Sequence, residues 1–500
     1  MLAKCLMVVT ILIFTLIIFN SIAISPEMVE KSTVKVVQKV YYSVSGAKSV
    51  EIKLYIPQKD EYQKILSLSV SGANFEKSKD EYGNTFLVLK PSKSRGEIKV
   101  TTILEVKRRT PVYTQDKPEM QSTEAVPLPE SLFERVNLTK SEMERALLIA
   151  EWVNENVRYD ENYSNVTLSP LEVLEKRAGV CDEFSVLTLA FLKTLNITAR
   201  YQAGYAFDGK RFMPHAWVRI YVNNLLWEID PTWCEAPVDA LHITFASLPN
   251  ASFSEISAIA KGTAPRINVL DEKIDIELLN LEKEKKSKLN INAKLLENTS
   301  YPGAYDGIEI NAFSKTCVLT QLSVGECIDY NGNRIVYPVF VKKCFAVCTK
   351  ARSFGVLKIS EGSPENVMCN ITVSTSFGGE GYDILRIKKQ AEIKPMRIKL
   401  IKYGENLYKA YSNAHVFTLS GEYVFGNGML RVFPGEKVFV LLSGKLKTLT
   451  PKKEKVISII EKEPVKKKLP EQKEKDKEEG IIESIINFFK RLLEALFSLI

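Results

Sequence analysis

The stretch from His215 to Asp230, HAWVRIYVNNLLWEID, places two alternating runs on either side of Asn223-Asn224. Asparagine tolerates the positive φ of a two-residue hairpin turn, so this pair predicts a tight β-hairpin. The turn sets the register: Val222 lies opposite Leu225, Arg219 opposite Glu228, and Trp217 opposite Asp230. One face then carries Ala216, Val218, Ile220, Val222, Leu225, Trp227 and Ile229, all apolar, and is expected in the core. The other carries His215, Trp217, Arg219, Tyr221, Leu226, Glu228 and Asp230, and is expected to point away from it. A slip of one residue would drive Arg219 and Glu228 inward, so the register is well determined. It makes His215 and Asp230 diagonal neighbours with α-carbons roughly 7 to 8 Å apart, within reach of a side-chain hydrogen bond.

An imidazole held by a carboxylate can serve a nucleophile, and a candidate stands upstream in KRAGVCDEFSVLTLAFLKTLN, residues 176–196. Ser169, Pro170 and Glu172 form a capping box that starts one helix, with Gly179 read as its stop. Cys181 then opens the next helix, whose Phe184, Leu187, Ala190, Phe191 and Leu195 anchor it in the core. A cysteine in a first helical turn sits near the positive end of the helix dipole and near unpaired backbone N–H groups, which favours the thiolate. Cys181 is therefore the candidate nucleophile. His215 would accept its proton and deliver it to a leaving group, while Asp230 would fix the imidazole tautomer and stabilise its charged form. The Cys181 N–H is a candidate oxyanion donor. Taken singly, each residue has a plain structural explanation; the common face and chain order of the three favour a triad.

GVCDEFSVLTLAFLKTLNITARYQAGY, HAWVRIYV and WEIDPTW together resemble the transglutaminase-like superfamily of papain-related thiol enzymes, over residues 139–235. The resemblance implies an α+β fold, a papain-like or transglutaminase-like catalytic core, with the nucleophile on Cys181, the base on His215 and the orienting acid on Asp230. It implies acyl transfer from a protein or peptide amide, either to water, as in a cysteine protease or amidase, or to an amine, as in a transglutaminase. Hydrolysis is the expected outcome, because nothing in the sequence excludes water from the site. Many family members carry an acidic residue where Arg219 stands; here Arg219 is expected to pair with Glu228.

At 500 residues the chain is too long for one core. Residues 1–25 read as a signal peptide or membrane anchor, an apolar run after Lys4 with Ser21 and Ala23 in a cleavage-site pattern. Alternation such as Val50, Ile52, Leu54, Ile56 predicts an N-terminal β-sandwich over 30–110, followed by a Pro-rich linker. The core spans 127–250, with Thr139 and Glu142 read as a second capping box. Strands return over 263–450 as one or two β-sandwich-type domains, with turns expected at Gly426-Asn427-Gly428 and Pro434-Gly435. Residues 451–479 read as a charged linker, and 480–500 as an amphipathic helix with Ile482, Ile485, Phe489, Leu492 and Leu496 on one face, suited to a membrane surface.

Cys317, Cys327, Cys344, Cys348 and Cys369 crowd together as disulfide cysteines would, and their spacings match no common zinc motif. Cys234 lacks an identifiable base and is expected as a free thiol or disulfide partner. His242 and His415 are expected to be structural or surface residues, Trp152 and Trp227 core residues. No cofactor or metal is expected. A net charge of +8, partly from one Lys-rich segment, implies no nucleic-acid partner. Seven Asn-x-Ser/Thr sites agree with export to the cell surface, and the abundance of Lys, Glu and Ile with few histidines suits a thermophilic, archaeal source. The competing reading is a cell-surface binding or adhesion protein in which the thiol domain is only a scaffold.

Overall fold

The computed structural model describes residues 29–460 except 117, 285–288, 298, 330, 365, 389–393 and 452–455. The expected signal or anchor, most of the charged linker and the amphipathic helix lie outside the described residues. Among those described, no helix is long and apolar enough to cross a membrane. Val456–Ile460, expected in the linker, forms a strand beside Arg397–Gly404.

The N-terminal region is one curled sheet instead of a two-sheet sandwich. Its strands are β1 (Val29–Tyr55), β2 (Gln63–Ser71), β3 (Ala73–Lys79), β4 (Thr85–Pro91) and β5 (Arg95–Lys107), in the order β2-β5-β1-β4-β3. β1 is long enough to pair with β5 along its first half and with β4 at its end.

The core region adds β6 (Val112–Tyr113), α1 (Glu130–Asn137), α2 (Glu142–Asn156), β7 (Arg158–Tyr159), α3 (Pro170–Lys176), β8 (Ala178–Gly179) and α4 (Cys181–Thr194). It continues with β9 (Thr198–Phe207), β10 (Phe212–Val222), β11 (Leu225–Ile229) and β12 (His242–Leu248). The sheet order is β12-β9-β10-β11-β6. The apolar face of the hairpin, with Ala216, Val218, Ile220 and Trp227, packs with Phe184, Leu187 and Phe191 of α4 and Trp152 of α2, as the alternation requires.

β13 (Ile256–Lys283) then runs back along the free edge of β1, so the boundary expected at 263 falls inside a strand of the N-terminal sheet. Strands were expected from 263 onward, but the partner of this one lies more than two hundred residues earlier in the chain. The supposed linker is also structural: Arg109 is fully buried, Val112–Tyr113 pairs with β11, and Gln121 caps backbone groups of Leu189, Ile197 and Ala199.

The C-terminal half resolves into two units. Residues 289–387 form two five-stranded sheets around one core, and residues 397–460 a six-stranded sheet around another. Gly426-Asn427-Gly428 lies within the strand Tyr423–Arg431; the positive φ of Gly426 accompanies the register jump between Tyr411 and His415 on the neighbouring strand, and no chain reversal occurs there. The turn at Gly435 does form, with φ 77°. Cys317–Cys348 and Cys327–Cys369 are disulfides of the first unit, and Cys234–Cys344 ties it to the core region.

Candidate active site

The hairpin register is the one the Asn pair dictates. Arg219 faces Glu228, Val222 faces Leu225, and Asn223 and Asn224 take φ values of 53° and 60°. His215 and Asp230 meet through Nε2 and Oδ2 at 2.8 Å. The Asp230 Oδ1 accepts the backbone N–H groups of Thr232 at 2.8 Å and Trp233 at 3.2 Å, so the carboxylate is oriented from both ends.

Cys181 occupies the first position of α4, half-buried, and is the one unpaired cysteine among the described residues. The Ser169 capping box starts α3 as expected, but the helix stops at Arg177, in the left-handed region at φ 54°, and not at Gly179. Gly179 has a different task. A Cβ there would lie 2.3 Å from the Glu183 Cβ, and Glu183 packs down on it to accept the Val180 N–H at 2.9 Å. Val180 has no side-chain oxygen to cap α4, so Glu183 orders the start of the helix that carries the thiol. The expected capping box of α2 is also displaced: Ser141 is its N-cap, accepting the Glu144 N–H, while the Thr139 hydroxyl binds the Glu144 carboxylate at 2.6 Å.

The Cys181 sulfur lies near enough to His215 for each to act on the other's charge, and its own hydrogen-bond contact is with the Asp182 Oδ1 at 3.9 Å. With Nε2 committed to Asp230, the ring nitrogen left for the sulfur is Nδ1. Burial alone would lower the His215 pKa, but the Asp230 charge and hydrogen bond, reinforced by Cys181, outweigh it and hold the imidazole at about 9. Burial likewise opposes ionisation of Asp230, and the His215 charge overrides it, leaving the carboxyl well below its usual range.

Trp233, Asp239 and His242 join the site without having been assigned to it from the sequence. Trp233 stacks on His215 with centroids 4.2 Å apart and planes at 16°, covering one face of the ring. His242, expected to be a structural or surface residue, is fully buried in the site: Nδ1 binds Asp239 at 2.9 Å and Nε2 lies 3.4 Å from the Asp230 Oδ2. Burial lowers its pKa, and the charges of Asp239 and Asp230 bring it back up to about 9. The available signal was that Asp230, Trp233, Asp239 and His242 crowd into thirteen positions. His215, Asp230 and His242 could together approach a metal ion, as could Glu235, Asp239 and His242. In the first set the facing atoms already bond to one another, so an ion would have to displace those hydrogen bonds. His415 lies far along the chain, bonded to the Tyr423 hydroxyl at 2.9 Å.

The polar face of the hairpin is not open to solvent, contrary to expectation. Arg219, Glu228 and Trp217 are buried under the N-terminal sheet. Glu228 accepts Arg219 Nε at 2.7 Å, Arg109 Nε at 3.0 Å and Trp217 Nε1 at 2.6 Å, and Arg219 continues to Asp60 at 2.5 Å. Arg109 also donates to the His242 carbonyl at 2.6 Å, which links this network to the site.

Residues 130–231 match the family model of the transglutaminase-like superfamily. The chain carries a transglutaminase-like core. Cys181, His215 and Asp230 all fall inside the matched span, whereas Arg109, Asp239 and His242 fall outside it. A UPF0252 protein of Pyrococcus furiosus is 51% identical over 49 residues, 10% of this chain and 15% of that one. An uncharacterized protein of Mycobacterium leprae is 33% identical over 91 residues, 17% of this chain and 32% of that one. The chain spans about a third or less of the length of the curated relatives it matches. Among solved structures, a candidate cysteine protease of Cytophaga hutchinsonii is 19% identical, covers 51% of this chain and 93% of that one, and has a TM-score of 0.35. Red sea bream transglutaminase is 10% identical over 82% of this chain and 92% of its own, with a TM-score of 0.18.

Proposed function

We propose that the protein is an exported thiol enzyme that transfers acyl groups from protein or peptide amides through Cys181, His215 and Asp230, with water as the favoured acceptor. One observation carries this reading: an unpaired, half-exposed sulfur at a helix start adjoins an imidazole whose far nitrogen is held by a buried carboxylate. Below pH about 9 the proton resides on His215, and the sulfur faces a cation. The sulfur, as thiolate with its proton taken up by His215, attacks the amide carbonyl, and the oxyanion that forms would accept the Cys181 N–H. His215 gives its proton to the departing amine, leaving a thioester and a neutral imidazole. Water then loses a proton to His215 as it attacks the thioester, the acid departs, and sulfur and imidazolium are restored. An amine in place of water would give transamidation. Partial exposure of Cys181 favours water. Three disulfides and the apolar first 25 residues support export.

The test is mass spectrometry of the native protein after a thiol-directed amide probe. An adduct on Cys181 is expected, lost in both Cys181→Ala and His215→Ala. No adduct, with binding to cell-surface material unchanged in Cys181→Ala, would refute the enzymatic reading in favour of an adhesion protein.

A further inference from the structure

A cavity of about 1060 Å³ opens where the core region meets the two C-terminal units. Its wall reaches the candidate site through Tyr159, Phe184 and Thr232: Phe184 is three residues into the thiol helix, the Tyr159 ring lies against it with centroids 6.3 Å apart, and Thr232 donates its N–H to Asp230. Six cationic side chains line it against two carboxylates. Arg135 and Lys342 are engaged by the buried Glu151, and Arg158 by Asp160. Of the two lining carboxylates, Glu155 is pushed by burial up to about 7, and Glu436 caps the backbone N–H groups of Ser420 and Phe433. Arg177, Lys343 and Lys437 have no carboxylate partner among the described residues.

Arg177 is the most informative of these. Its guanidinium carbon sits 4.4 Å over the Trp152 ring, and the ring is itself fixed edge-on against Phe191. Its Nη1 is buried without a hydrogen-bond partner, and desolvation is the sole influence on its pKa, downward. Its backbone is left-handed at φ 54°, ψ 38°, where glycine or asparagine is favoured. A helix stop at this point favours glycine, so the arginine sits here at a conformational cost. The turn is fixed on both sides, because the Arg177 carbonyl accepts the Arg158 N–H at 2.9 Å and β8 pairs with β7 directly after it. A guanidinium stacked on an indole keeps its N–H groups in one plane, and with Nη1 covered it is the Nε–Nη2 edge that is left for the two oxygens of a carboxylate.

We propose that this cavity is an acidic-peptide subsite in which Arg177, held on Trp152, binds a substrate carboxylate. Cys181 follows Arg177 by four positions, so their α-carbons are at most about 14 Å apart. A carboxylate on Arg177 therefore lies within a few residues of an amide presented to the sulfur. That last placement rests on the thiol-enzyme reading; carboxylate binding does not.

The experiment uses the full chain as Cys181→Ala and measures fluorescence anisotropy with a labelled Gly-Glu-Gly-Glu-Gly peptide and its Gln counterpart. The acidic peptide is expected to bind about tenfold or more tightly than the neutral one. Adding Arg177→Gly should abolish that preference, and glycine suits the left-handed turn, so the melting temperature should hold. Arg177→Lys should keep only part of the preference, because an ammonium lacks the planar fork. Equal binding of the two peptides, or a preference that survives Arg177→Gly, would overturn the subsite. With Cys181 present, turnover of both peptides without an acidic preference sinks the subsite alone. A preference lost with Arg177 but no turnover of either peptide sinks the thiol chemistry and leaves the subsite standing.

Discussion

Two buried polar clusters share one face of the same hairpin and behave differently. Around Glu228, each oxygen meets a guanidinium, and a tryptophan N–H completes the set. Around Asp230, the ring nitrogen of His215 that turns away from the carboxylate adjoins a half-exposed thiol. The first cluster is closed on itself and joins two sheets. The second is closed except at the one atom where chemistry would occur. Burial and ionic character therefore do not separate a structural cluster from a candidate catalytic one; an open position facing a nucleophile does.

Matched substitutions of the two carboxylates give the sharpest contrast. Asp230→Asn keeps the size but removes the charge that holds His215, and should lower turnover by about four orders of magnitude with the protein still folded. Circular dichroism and steady-state rates on one sample would check this, and a loss under tenfold would erase the distinction. Glu228→Gln should do the reverse, costing roughly 3–5 kcal/mol of stability by leaving two buried guanidinium groups short of charge. Where it remains folded, its turnover should stay within a few-fold, as denaturant melts paired with rates would show.

A pH series separates the clusters next. Asp60 and Asp230 are both held below the usual carboxylate range, so both clusters lose stability as acid protonates them. Between these two clusters, the alkaline side belongs to the histidines. His215 and His242 are raised from 6.5 to about 9, so their contribution is fully present below pH 6.5 and disappears as pH rises through about 9. For His215 this is on the order of 3 kcal/mol at most. Turnover and melting temperature should fall together on that limb, and an alkaline limb unchanged in His215→Ala would remove the assignment. The smallest effect is expected from Gly179→Ala, which forces Glu183 off its contact with the Val180 N–H and should cost about 1–3 kcal/mol. Thiol alkylation should slow in this variant while Glu228→Gln leaves that rate unaffected, which would place the Gly179 contact with the open cluster.

Much of the candidate site was legible because its determinants are local. The Asn223-Asn224 turn and the period of two settle which residues face each other, and the pairing of Arg219 with Glu228 follows. The helix starts at Pro170 and Cys181 were legible for the same reason. The errors arose where a local signal admits two outcomes. Gly179 read as a helix stop because close packing against a side chain one turn later leaves no distinct trace in sequence. Thr139 read as the cap because a hydroxyl two residues away could also serve. His242 was assigned no place in the site because its partners Asp230 and Asp239 identify themselves only once the chain has turned back.

By itself the sequence determined the hairpin, its register, its apolar face and the helix that presents Cys181, since periodicity and turn chemistry act within a few residues. Only the tertiary structure decided that the polar face is buried as well, through Asp60 and Arg109 arriving from the N-terminal sheet and its connection. It also decided that β13 pairs with β1, that Cys234 joins Cys344, and that a cation-lined cavity opens beside the thiol helix. Alternation states that a strand has two faces; what covers each one depends on segments brought in from far along the chain, and no local pattern encodes that.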